Sequence, residues 1–219
     1  MIGVGVVFFV VACGLLVGLL IGEKRENPRL TLAFKTPLSC LFVVTAVLLP
    51  HPLAWYYHYI LAGLVLGLAG DVFLAIPGKT TFRAGLAAFL AGHVLYVVAF
   101  AGLTTAGHWA TPVHVVIIVI SVAVFLWLRP HLGDMLVPVV LYVIVITAML
   151  SAAWVASSGP HVPAAGSWAI LVGAAAFYVS DLFVARDRFV RHGFVNRLVG
   201  LPLYYCGQFL IALSTGLVG

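Results

Sequence analysis

The chain has 219 residues, of which 64% are hydrophobic and 8% charged, and its mean hydropathy is +1.21. A soluble domain carries about 25% charged residues, so this supply cannot cover a water-facing surface, and a soluble enzyme or a nucleic-acid binder is excluded. Eleven Lys/Arg against six Asp/Glu give a formal charge of +5, but where those charges fall says more than their sum.

Long apolar runs recur along the chain. A helix of about 20 apolar residues crosses a bilayer core, whereas barrel strands would be about 10 residues long and alternate in polarity. The runs therefore predict an all-α polytopic membrane bundle, a single integral membrane domain over residues 1–219. Its eight helices fall at about 2–22, 30–49, 55–76, 82–103, 112–128, 134–157, 166–186 and 199–218. The breakers between them are Pro28, Pro50 and Pro52, Pro77-Gly78, Gly107 and Pro112, Pro130, Gly159-Pro160 with Pro163, and Gly193. The first run has no basic residue ahead of it, and Lys24 and Arg25 follow it, as suits a transmembrane helix rather than a cleaved signal. Cys13, Cys40 and Cys206 all lie inside apolar runs and offer neither a disulfide framework nor a metal spacing.

The basic residues set an orientation. The junctions after helices 1, 3, 5 and 7 hold Lys24, Arg25, Arg29 and Lys35; Lys79 and Arg83; Arg129; and Arg186, Arg188, Arg191 and Arg197. The junctions after helices 2, 4 and 6 hold none. Basic loops stay on the cytoplasmic side, which puts both termini outside.

Gly70-Asp71-Val72-Phe73-Leu74-Ala75 recurs as Ser180-Asp181-Leu182-Phe183-Val184-Ala185, and Gly92-His93-Val94-Leu95 has a counterpart in Gly207-Gln208-Phe209-Leu210. Four helices per half give both halves one orientation, the pattern of a 4+4 parallel internal repeat.

Asp71 and Asp181 are the two carboxylates in the membrane interior. An ionised side chain at a helix centre costs about 2.5–3.5 kcal/mol even on insertion scales, so such residues mark function by default. Each sits about 8 Å inside the cytoplasmic end of its helix, at 1.5 Å per residue. Asp71 shares a face with Gly67 and Gly63, a small-residue stripe that suits helix contact and points it into the bundle. Lys35, with Ser39 one turn on, reads either as a cation of the site or as a lysine snorkelling to the interface. His93 and Tyr96 on helix 4, Tyr142 on helix 6, and Tyr204, Gln208 and Thr215 on helix 8 complete the polar inventory. The remaining histidines (His51, His58, His108, His114, His131, His161 and His192) fall in loops or near helix ends and receive no role. One histidine and two aspartates are too few for a zinc site, which wants three or four ligands, and no serine stands in a nucleophile elbow. No metal or cofactor is expected. The inventory suits paired carboxylates with separate roles, one a general acid and one an ionised base or cation stabiliser.

These residues resemble the lysoplasmalogenase family, the YhhN-like multi-pass membrane proteins. The likeness rests on Gly70-Asp71-Val72-Phe73-Leu74, Phe89 with Gly92-His93 and Tyr96, and Tyr142. It continues through Ser180-Asp181, Arg188-Phe189, and Tyr204 to Gln208, Leu210-Ile211 and Ser214, with Lys35 and Pro37 at the start of helix 2. The resemblance implies a hydrolase of a bacterial cell membrane that cleaves the vinyl ether of a lysophospholipid, a lysoplasmalogen. The products would be a fatty aldehyde and glycerophosphoethanolamine or glycerophosphocholine. It implies Asp71 and Asp181 as catalytic residues. The polar inventory itself supplies His93, Tyr96, Tyr142, Tyr204 and Gln208 as orienting or substrate-binding groups, and Lys35 and Arg188, on the cytoplasmic side, as candidates for the lipid phosphate. The site is expected toward the cytoplasmic leaflet. Paired intramembrane carboxylates in a repeat also describe a proton-coupled carrier, which is the competing reading. Besides membrane lipid, a second copy is a candidate partner, since Gly14, Gly18 and Gly22 suit helix packing within one chain or in a homodimer.

Overall fold

The computed structural model describes residues 2–104, 109, 111–159 and 162–219, with side chains from Val7 onward. Gly107, His108, Pro160 and His161 lie outside the described residues. Eight helices follow in order: α1 Ile2–Lys24, α2 Pro28–Leu48, α3 Ala54–Ala75, α4 Lys79–Ala101, α5 Pro112–Leu128, α6 Leu136–Ser157, α7 Ala164–Ala185 and α8 Phe194–Ser214. Two 3₁₀ turns, Arg129–His131 and Gly133–Met135, join α5 to α6, and a π-helical turn, Arg186–Val190, follows α7. Among the described residues there is no strand. The polytopic helical bundle expected from the sequence is the observed fold.

Three helices start earlier than their apolar runs because local polar chemistry extends them, while other ends draw in: α4 closes at Ala101 rather than 103, α6 opens at Leu136 rather than 134 behind the 3₁₀ turns, and α8 closes at Ser214 rather than 218. The second helix starts at Pro28 rather than 30 because the Asn27 side chain accepts from the Arg29 and Leu30 amides (both 3.1 Å), with proline at the first helical position. The fourth starts at Lys79 rather than 82. Gly78, at φ +153°, makes the turn, and Thr81 Oγ1 donates to the carbonyls of Ile76 (2.8 Å) and Gly78 (3.0 Å). The eighth starts at Phe194 rather than 199, because Asn196 and Arg197 are held by partners described below. Seven of the eight helices are long and apolar enough to cross a membrane. The exception, α8, is less apolar because it buries Asn196, Tyr204, Tyr205 and Gln208 in the bundle.

Two helix pairs, α3–α4 and α7–α8, are closed by glycine. A Cβ on Gly92 would lie 3.1 Å from the Gly63 carbonyl oxygen, and one on Gly207 would lie 2.8 Å from that of Gly173. Likewise Gly85 faces the Gly70 carbonyl (3.2 Å) and Gly200 that of Ser180 (3.6 Å). The α7 and α8 positions repeat those of α3 and α4, each at one constant offset, so both pairs meet through equivalent glycine-to-carbonyl contacts. The pairs then cross-pack, with α4 resting on α6 and α8 on α2. At the N-terminus, Gly18 and Gly22 admit the Phe34 ring and the Thr31 backbone of α2, so this part of the glycine stripe serves contact within the chain. The outlying helix is α5, which buries only Ile117, Ser121 and Leu128 among its own residues and lies against α6.

Candidate active site

Asp71 lies four residues before the end of α3, on the face where glycine lets α4 and α8 approach. A Cβ on Gly67 would come within 2.7 Å of Gln208 Nε2, and one on Gly63 within 2.4 Å of the Tyr96 ring. Into that space α8 projects its polar side chains. Asp71 is 1% exposed and Lys35 6%. Ser39 Oγ and Tyr204 OH each donate to Asp71 Oδ2 at 2.6 Å, and Lys35 Nζ stands 3.3 Å from Oδ1. Lys35 therefore does not snorkel; its ammonium turns inward and compensates the carboxylate. Removing one member of a buried pair leaves an uncompensated charge, which costs more than the pair gains.

Hydrogen bonds extend from this centre through four helices. Tyr205 OH lies 3.1 Å from Ser39 Oγ. Gln208 Nε2 donates to Tyr204 OH (3.2 Å), and Tyr96 OH donates to Gln208 Oε1 (2.8 Å). Asp71 is thus fixed by groups from α2, α4 and α8, the preorganisation an electrostatic catalyst requires.

Asp181, its repeat counterpart on α7, has a different setting. Its hydrogen bond among the described residues comes from Tyr142 OH of α6 to Oδ2, at 2.7 Å. Its ion-pair partners among those residues number none, whereas Asp71 has Lys35. Equivalent positions of the repeat hold carboxylates with unlike surroundings.

Both aspartates line one cavity of about 690 Å³. It reaches the basic end of the bundle, where Glu23, Asp187, Arg188, His192, Asn196 and Arg197 surround it. That collar is internally paired. Arg197 bonds Glu23 of α1 and, through Nε, Asp187 Oδ2 (3.3 Å), joining α1 to the π turn. Asp187 Oδ1 accepts from the Gly193 amide (2.9 Å) and Asn196 Nδ2 (3.1 Å), and His192 Nδ1 lies 3.2 Å from Asp187 Oδ2. Asn196 Oδ1 accepts in turn from Arg186. The exposed Arg188 sits with its guanidinium 4.1 Å over the Phe82 ring. Beyond the collar, Leu86, Phe89, Val143 and Ile146 make the wall apolar. Among the described residues no three of His, Cys, Asp and Glu gather where one ion could be held.

Of the residues singled out from sequence, the cavity is lined by Asp71, Asp181, Lys35, Tyr142, Tyr204 and Arg188. Tyr96 and Gln208 stand behind Tyr204 and reach Asp71 through it. His93 is 1% exposed, with its ring 4.5 Å from that of Phe177 and 5.3 Å from that of Tyr142, and lies off the cavity. None of these three lines the cavity; Tyr204, which Gln208 reaches by hydrogen bond, and Tyr142, beside His93, are the side chains that do. Sequence reasoning missed Tyr205 and, apart from Arg188, the collar. Asp187, His192 and Asn196 fall in a short polar stretch that reads as a loop, and Arg197 reads as a topology charge.

The YhhN family model matches residues 30–215. Among similar proteins, the lysoplasmalogenase of Mycobacterium bovis is 29% identical over 189 residues, 84% of this chain and 68% of the relative. Lysoplasmalogenase TMEM86A of Bos taurus is 33% identical over 192 residues, 81% and 74% of the two chains, and lysoplasmalogenase TMEM86B of Homo sapiens is 31% identical over 208 residues, 94% and 84%. No solved structure matches the chain.

The Lys35–Asp71 pair is open to a double-mutant cycle. Lys35→Met strands a buried carboxylate and is expected to lower stability by about 3–5 kcal/mol. Adding Asp71→Asn should recover most of that loss, read as thermal unfolding of the detergent-solubilised protein. Additive losses would mean that the two side chains do not compensate each other.

Proposed function

The chain belongs to the YhhN family, and we propose that it is a membrane hydrolase cleaving the vinyl ether of a lysoplasmalogen to a fatty aldehyde and a glycerophospho-alcohol. The observation that carries this reading is that two carboxylates with unlike partners face one cavity, polar at the collar and apolar beyond it. A single-chain ether phospholipid has the same division. The names of the relatives supply the substrate class.

Vinyl ether hydrolysis begins with a proton on the β-carbon of the double bond, giving an oxocarbenium ion. Asp181 is the donor in this reading. Tyr142 occupies Oδ2, and Oδ1 has no hydrogen bond among the described residues, so a proton there can pass to substrate carbon. Asp71 is the ionised carboxylate. Lys35, Ser39 and Tyr204 compensate its charge and fix its position, from which it favours the cation and then takes a proton from the attacking water. Water adds to the α-carbon, and the hemiacetal collapses as its hydroxyl loses a proton and the glycerol oxygen gains one. The net reaction is addition of one water. Two carboxylates share an oxocarbenium-like transition state in the same manner in glycosidases. Lys35 is engaged by Asp71, which leaves Arg188, held over Phe82 at the collar, as the candidate for the lipid phosphate.

General acid–base groups contribute about 10²–10⁴-fold each. Asp71→Asn and Asp181→Asn should each lower aldehyde release from a lysoplasmalogen by that order while the purified protein keeps its helical content. Asp181→Asn should also keep its unfolding temperature, whereas Asp71→Asn strands the Lys35 ammonium and is assayed below its own lowered unfolding temperature. Turnover within a few-fold of wild type in either variant would remove that carboxylate from the mechanism. A carrier would show no aldehyde release from wild type in detergent.

In this reading the collar is cytoplasmic, which the basic junctions favour by the positive-inside rule. Cysteine placed at the exposed Thr80 should react with a membrane-impermeant maleimide only after cells are opened. Reaction from outside intact cells would reverse the orientation.

A further inference from the structure

A second cavity of about 310 Å³ lies between α5 and α6, lined by apolar side chains that include Ile118 and Val122 of α5 and Val140 and Ile144 of α6. Ile118, Val122 and Ile144 are exposed on the outer surface of the bundle, so the groove faces the hydrocarbon of the bilayer. Only a thin partition separates it from the site. Val143 lines both cavities. Beside it, Tyr178 lines the catalytic cavity, and its hydroxyl meets Ser121 Oγ at 2.9 Å. Ser121 in turn lines the groove and accepts from Thr147 Oγ1 at 2.7 Å.

We propose that this α5–α6 groove receives the far end of the substrate's hydrocarbon chain, with Val143 and the Tyr178–Ser121 pair as the threshold. The inference rests on the hydrolase reading and deepens it. The chemistry of the substrate forces a direction. The reacting carbon is the first carbon of the chain, so the chain leaves Asp181 directly and cannot share the collar with the head group. Tyr142, which holds Asp181, neighbours Val143 in sequence, so the threshold begins where the chain must start. The lining past it is apolar, and α5, which buries only three of its own residues, forms the outer wall. A chain can therefore enter sideways from the bilayer without passing the paired charges of the collar.

The test uses two readouts on the full chain. Val122→Trp and Val140→Trp fill the groove from opposite walls without touching the catalytic cavity. Each should lower kcat/KM for a long-chain lysoplasmalogen about tenfold, the scale at which apolar pockets discriminate chain length, and leave an eight-carbon homologue within twofold. Equal loss at both lengths, or loss at neither, overturns the proposal. The second readout is independent of turnover. A saturated alkyl-ether lysophosphoethanolamine with a terminal diazirine cannot be cleaved as a vinyl ether. It should label residues 118–125 and 140–147, compete with unlabelled long-chain lysolipid, and lose that labelling in both tryptophan variants. Adducts confined to other helices overturn the groove. Groove labelling by a wild type that releases no aldehyde would overturn the hydrolase reading and leave the chain-binding groove standing.

Discussion

The buried pair of Lys35 and Asp71 is the constraint around which the bundle is arranged. A carboxylate at this depth is tolerated only with a cation and donors at hand, and here these come from α2 and α8, helices far apart in the chain. Satisfying Asp71 therefore fixes how the first and last thirds of the chain meet. The glycines on α3 follow from the same requirement. Without side chains at positions 63 and 67, α4 and α8 come close enough for Tyr96, Gln208 and Tyr204 to form a connected line to the carboxylate.

The repeat gives the site its asymmetry. The α3–α4 and α7–α8 pairs close with the same glycine-to-carbonyl contacts, so Asp71 and Asp181 start from equivalent backbone positions. What differs is what the rest of each half brings. Around Asp71 are an ammonium and two hydroxyls; around Asp181 is one phenol. A duplicated scaffold thus sets two identical side chains in unlike surroundings, and the proposed mechanism uses that difference to give them two chemical roles.

The bundle and its membrane class were legible because hydrophobic run length and the breakers between runs are one-dimensional signals. Asp71 and Asp181 were legible because an intramembrane charge is conspicuous, and the Gly63–Gly67 stripe correctly turned Asp71 inward. The partner of Lys35 was not legible. Whether a lysine near a helix end turns to the interface or to the core depends on what faces it, and Asp71 is 36 residues away in sequence. The collar was hidden for a related reason. Asp187, Asn196 and Arg197 look like loop polarity until the π turn and the early start of α8 bring them onto one another. His93, Tyr96 and Gln208 were correctly read as buried, but depth along a helix cannot tell a cavity wall from the layer behind it.

The central claim is that a fixed carboxylic acid in this cavity protonates the β-carbon of a vinyl ether. Turnover of a lysoplasmalogen in deuterated water, with the aldehyde reduced as it forms, reads this directly. The account predicts one deuterium at the second carbon of the resulting alcohol, in a single configuration, because a held acid reaches one face of the double bond. A product with no deuterium there, or with both configurations equally populated, would contradict it.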